Sequence, residues 1–152
     1  MTLKDWILLI IPICFNGVVV FVLQRAFEKR QFERTVKYEY ILTLRKRIDT
    51  SLELHAKATR LSNQGTPDND TIINKIIQEY VDSCLDVYYF YIQNKILLKS
   101  FDNHMENLAT LVKKLVDTSH HLEADSDNVN FSTIFNNIRD ELMLMKEKCI
   151  KF

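Results

Sequence analysis

The chain has 152 residues, with 20 Lys/Arg against 20 Asp/Glu, 47% hydrophobic residues, and only two glycines and two prolines. Glycine and proline this scarce exclude a turn-rich β fold, and no Walker loop, G-x-S-x-G elbow or dinucleotide fingerprint marks a common enzyme class. The charge is unevenly spread: residues 25–63 hold ten Lys/Arg and five Asp/Glu, whereas residues 64–152 hold nine and fourteen.

In chain order, the first element is Trp6 to Leu23, WILLIIPICFNGVVVFVL. No residue from Trp6 through Gln24 is charged. A helix of that length rises roughly 28 Å, close to a bilayer's hydrocarbon core. Ile7, Leu8, Leu9, Ile10 and Ile11 cover every side of a helix, which suits lipid all round better than a core helix with one apolar face. A cleaved signal peptide fits poorly: only Lys4 charges its start, and Gln24-Arg25-Ala26-Phe27 is no small-residue cleavage site. Residues 1–24 are therefore predicted to be a transmembrane anchor. Pro12 removes one backbone bond and predicts a kink. Asn16 falls near the bilayer centre, where it either bonds its own helix backbone or finds an amide on a second helix, with Gly17 allowing close approach. Trp6 is placed at the interface, where an amphipathic ring is favoured.

Lys4 and Asp5 precede the span, and Arg25, Lys29, Arg30, Arg34 and Lys37 follow it. Lys and Arg bias their flank toward the cytoplasm, so the expected topology is a single pass in the inner (plasma) membrane, N-terminus out and C-terminal domain in the cytoplasm. Arg25, Lys29, Arg30 and Arg34 then face anionic lipid headgroups. Nucleic acid is not expected as a partner, because Glu28, Glu33 and Glu39 interrupt the basic run and no recognition motif is present.

Residues 25–63 read as a basic stalk helix, with Ile41, Leu44, Ile48, Leu52 and His55 recurring at three or four residues. Gly65 and Pro67 break it, and Asp68 or Asp70 caps the next helix. That helix runs from about Thr71 to Asn94, with a stripe through Ile73, Ile76 or Ile77, Tyr80, Cys84, Val87 or Tyr88, and Tyr91. Asn94-Lys95 marks either a short connection or a kink. The remaining helices are Leu97 to His120, with Leu98, Phe101, Met105, Leu108, Val112 and Leu115 on one face, and Phe131 to Lys148, with Ile134 or Phe135, Ile138, Leu142 and Met145, separated by a polar loop at Glu123 to Asn128. The fold class expected is all-α: a transmembrane helix continuing into a stalk helix and an antiparallel bundle of about four helices, with residues 64–152 its acidic part.

Candidates for chemistry are few. His120-His121 point about 100° apart on a helix and make no metal clamp. Asp125-Ser126-Asp127 opens like a calcium loop, but Val129 and Asn130 stand where the pattern wants an acid or amide and then glycine. Cys84 and Cys149 lie on apolar stripes and carry no nucleophile motif, and the three cysteines form no C-x-x-C. Asn69-Asp70-Thr71 and Asn130-Phe131-Ser132 match the glycosylation pattern at predicted loops, but only a lumenal domain could use them. No cofactor is expected. Tyr88-Tyr89-Phe90-Tyr91 spans about 300° of a helix. If the core takes Tyr88 and Tyr91, Tyr89 or Phe90 faces a neighbouring helix, a protein partner or lipid.

The run W-I-L-L-I-I-P, then F-E-K-R-Q-F-E-R, then C-L-D-V-Y-Y-F-Y-I before a further amphipathic run resembles small bacterial single-pass membrane proteins of unknown function, the DUF4760-like group. The resemblance spans most of the chain and implies an anchor, a basic stalk and a helical cytoplasmic domain. It carries over no functional residue. Roles suspected for such proteins lie on mobile elements or in phage defence. The expected function is a membrane-anchored, non-enzymatic interaction or sensor protein with an unidentified protein partner and a capacity to self-associate. The alternative is an effector that perturbs the bilayer by assembling its span through Asn16 and Gly17.

Overall fold

The computed structural model describes the backbone of residues 3–64, 70–119 and 125–152, and the side chains of 18–64, 71–118 and 130–152. Among the described residues five α-helices follow one another: α1 Leu3–Gln64, α2 Asp70–Gln93, α3 Lys95–Leu98, α4 Asp102–Ser119 and α5 Asp125–Ile150, with a 3-10 turn at Lys99–Phe101 between α3 and α4. No strand occurs among the described residues. The chain divides into two units, Met1–Lys37 and Tyr38–Phe152.

The first unit is the N-terminal part of α1. Its described side chains are almost all exposed, including Phe21, Leu23, Phe27 and Phe32. Local bonds support the helix: Gln24 Nε2 donates to Glu28 Oε1 at 3.1 Å, and the Thr35 hydroxyl donates to the Gln31 carbonyl at 3.0 Å. Among the described residues no helix is long and apolar enough to cross a membrane. Most of the uncharged stretch from Trp6 to Leu23 lies outside them, since side chains are described only from residue 18 onward.

The second unit is an antiparallel bundle of four long helical segments. Cross-links of the interfaces fix the directions. Between α1 and α2, Arg47 pairs with Asp86, Ser51 with Ser83 and Tyr40 with Phe90, so one number falls as the other rises. Lys146 of α5 pairs with Asp49 of α1 at 2.6 Å, while His55 stacks on Phe135, again antiparallel. His104 of α4 meets Glu141 of α5 at 2.6 Å. α2 also packs on α4. Each of the four segments therefore has two neighbours, and one apolar stripe from each fills the centre.

The stripes follow the three-and-four spacing of the sequence. Ile41, Leu44 and Ile48 of α1, Ile76, Tyr80, Cys84, Val87 and Tyr91 of α2, and Ile134, Phe135, Ile138, Leu142 and Met145 of α5 are all buried. Every residue of the predicted stripe Leu98, Phe101, Met105, Leu108, Val112 and Leu115 is buried as well. Leu52, expected on the stripe of α1, is only half-buried; Ser51 takes the central place beside it.

The third predicted helix does not start where the pattern suggested. The chain turns at Asn94, whose φ of −121° and ψ of 24° leave the helical region. The Asn94 amide donates back to the Phe90 carbonyl at 2.8 Å, and the Asn94 carbonyl then accepts from the Leu97 and Leu98 N–H groups. The spacing of Leu98 and Phe101 matches three residues per turn, so a 3-10 turn lets both close the bottom of the core before α4 begins at Asp102. α5 begins at Asp125 rather than Phe131, so Asn130-Phe131-Ser132 lies within a helix and not in a loop.

Candidate functional site

Two places in the structure combine polar chemistry with placement by the fold: a buried seam between α1 and α2, and the basic band of the first unit.

The seam arises because α1 places Ser51 and His55 one turn apart, opposite Tyr80, Ser83 and Cys84 of α2. The Ser51 hydroxyl donates to the Arg47 carbonyl at 3.2 Å, so at the 2.6 Å contact between the two hydroxyls it is Ser83 that donates to Ser51. His55 is 3% exposed and sits between rings, stacked on Phe135 at 4.3 Å and edge-on to Tyr80 at 5.6 Å. Its Nε2 has no hydrogen-bond partner among the described residues. Burial, reinforced by the nearby Arg139 guanidinium, holds the imidazole below its ordinary pKa of 6.5, so the neutral ring is the form the fold prefers. Burial likewise raises the Tyr80 phenol far above its ordinary range.

The same burial decides what the cysteines can do. The Cys84 thiol is pushed up to about 12 and the Cys149 thiol to about 11, chiefly by desolvation. At neutral pH both are protonated thiols, which are poor nucleophiles and poor metal ligands. Both are free of disulfides. Among the described residues no group of three or more His, Cys, Asp or Glu side chains is placed to hold a metal ion. His120, His121 and Asp125 to Asp127 lie outside the described side chains. A cleft of about 200 Å³ opens between α1, α2 and α5 beside the seam, edged by the uncharged Thr59, Ser62, Asn63, Ser132 and Asn136.

Arg25, Lys29, Arg30 and Arg34 are all exposed on the first unit, with the Arg25 guanidinium 5.4 Å over the Phe21 ring. At 100° per residue they fall at about 0, 40, 140 and 180° around the helix, so the basic groups cover half its circumference. That is a broad basic band on one side of the helix, wider than a single line of residues. Trp6, Asn16 and Gly17 lie outside the described side chains.

The aromatic run of α2 separates into roles. Tyr91 is buried, and its hydroxyl donates to Asp102 Oδ1 at 2.6 Å; burial and that carboxylate raise its pKa. Tyr88 is half-buried. Phe90 is partly covered, stacked on Tyr40 at 6.1 Å with the Arg47 guanidinium 4.7 Å over its ring. Tyr89 is 59% exposed. Of the two residues singled out for a partner, Tyr89 is the open one and Phe90 is held by α1.

Sequence reasoning missed the Ser51–Ser83 link. Its signal was the position of Ser51, three residues after Ile48 and four before His55, on the buried line of α1. No family model, curated protein or solved structure matches the chain.

Proposed function

We propose that the chain is a membrane-anchored, non-enzymatic helical module whose bundle works on the cytoplasmic face as an interaction or sensing domain. The observation that carries this reading is the uncharged run from Trp6 through Gln24 followed directly by basic residues. A run of that length fits a bilayer, and the excess of Lys and Arg after it orients the chain. The basic band at Arg25, Lys29, Arg30 and Arg34 supports a position against headgroups. The bundle supports a binding role: among the described residues its buried polar groups are Ser51, paired with Ser83, a neutral histidine, protonated thiols and the Tyr80 and Tyr91 phenols, all held within the packed core. The exposed Tyr89 offers an amphipathic anchor for a protein partner.

The test is a fusion of a reporter enzyme that works only outside the cytoplasm, joined after Phe152 in a bacterial host. The reading predicts a silent reporter and an active cytoplasmic reporter at the same position. Activity of the external reporter would reverse the orientation and move the bundle to the other side of the membrane.

A further inference from the structure

The end of the bundle at which α1 enters is both apolar and basic, and we infer that it is a second lipid contact, docking on an anionic bilayer surface. This rests on the anchored reading above.

The surface is built from the connection between α2 and α4 and from the last turns of α5. The Phe101 and Phe152 rings lie 6.1 Å apart, Lys148 Nζ sits 5.5 Å over the Phe101 ring and donates to the Ser100 carbonyl, so residues 148–152 are fixed against residues 99–101. Phe101 and Leu98 face inward and seal the core. What they leave outside is unusual for a water-facing end. Ile96 is 94% exposed, and Ile92, Ile150 and Phe152 are 46%, 59% and 52% exposed. Lys95, Lys99 and Lys151 are also exposed and make no ion pair among the described residues. Residues 87–101 contain no acid, and Glu147 is the one acid of residues 146–152. Asp102, a carboxylate at the edge, accepts a hydrogen bond from the Tyr91 hydroxyl.

Apolar side chains interleaved with lysines of one sign fit a surface that is anionic outside and apolar beneath. They fit a second copy of the chain poorly. A two-fold contact would lay the same patch on itself and oppose lysine to lysine. The chain's own layout supplies the rest of the argument. Tyr40 stacks on Phe90, so α1 enters the bundle beside this end and not beside the opposite one. Only residues 25–37 link the uncharged stretch to Tyr38, and so short a tether keeps the surface at high effective concentration near a bilayer that holds that stretch.

The test uses the full chain in vesicles whose lipid tails are brominated, with Trp6→Phe to remove the native tryptophan and Ile96→Trp as the reporter. Position 96 is open, so the reporter leaves packing intact. The inference predicts quenching of the reporter in phosphatidylcholine vesicles containing phosphatidylglycerol. It predicts loss of that quenching in pure phosphatidylcholine, in high salt, and with Lys95→Glu and Lys99→Glu, each lysine strengthening attraction about fivefold. Flotation with the vesicles is read in the same samples and reports the anchor: all variants should float with both lipids. A reporter that stays unquenched in anionic vesicles overturns the inference, and if the chain still floats the anchor reading survives. Quenching in anionic vesicles by a chain that fails to float with pure phosphatidylcholine upholds the lipid contact and overturns the anchor.

Discussion

Leu108→Ala probes the bundle at its centre. Leu108 is fully buried on α4, which packs on both α2 and α5, with Met105 and Val112 above and below it on the same stripe. Removing three carbons loses roughly 2.4 kcal/mol of transfer free energy at about 0.8 kcal/mol per methylene. The cavity left between three helices adds about 24 cal/mol for each Å³ that fails to close, which brings the expected loss to about 2–5 kcal/mol. A loss of about 3 kcal/mol, with a urea slope near 1.5 kcal/mol per molar, moves the unfolding midpoint down by about 2 M. The assay is urea unfolding of the full chain in mild detergent, followed by helix circular dichroism. Leu144→Ala, at a position 52% exposed, is the control and should change stability by less than about 0.5 kcal/mol. A Leu108→Ala midpoint within that same margin would refute the placement of the α4 stripe in the core.

Three further outcomes are expected. His55 is held below 6.5, so the unfolded chain takes up a proton that the fold refuses; its contribution to stability is full above pH 6.5 and is lost as pH falls from there toward the folded value, by up to about 1.4 kcal/mol per pH unit. Thermal melts should therefore show a wild-type decline across that window that His55→Phe lacks, and identical profiles would remove the assignment. Ser83→Ala takes the donor from Ser51 and should cost about 1 kcal/mol in the same urea assay, while Ser51→Ala with Ser83→Ala together should cost less than the sum of the two singles; strict additivity would mean that the 2.6 Å contact contributes nothing. Asn16→Leu should weaken crosslinking of the full chain in membranes if the amide bonds a second copy, an interaction worth about 0.6–2 kcal/mol; unchanged crosslinking would place the contact elsewhere.

The bundle was legible because its code is redundant. Each long helix repeats an apolar residue every three or four positions over several turns, so the loss of one, such as half-buried Leu52, does not blur the stripe. All six predicted core residues from Leu98 to Leu115 are buried for that reason. The start of α4 was not legible, because Leu98 and Phe101 are three apart, a spacing shared by an α-helix and a 3-10 turn; only the bond from the Asn94 amide to Phe90 O and the tertiary fit decide. The buried serines were passed over because serine carries no hydrophobic signal, and its partner on α2 is fixed by helix register rather than by local sequence. The apolar, basic end of the bundle was hidden for a related cause. Ile92, Ile96, Ile150 and Lys151 come from segments far apart in the chain, and Ile96 looks like part of a core helix until the turn at Asn94 points it outward.

The central claim is that the uncharged run holds the chain in a bilayer as an integral span. Membranes from cells expressing the full chain, washed in high salt and then in alkaline carbonate, test it most directly. Salt strips proteins held by headgroup charge alone and carbonate strips those lying on the surface, whereas a spanning helix resists both. The account predicts that the chain stays in the membrane pellet after both washes and that removing residues 1–24 releases it. Release of the intact chain into the carbonate supernatant would contradict it.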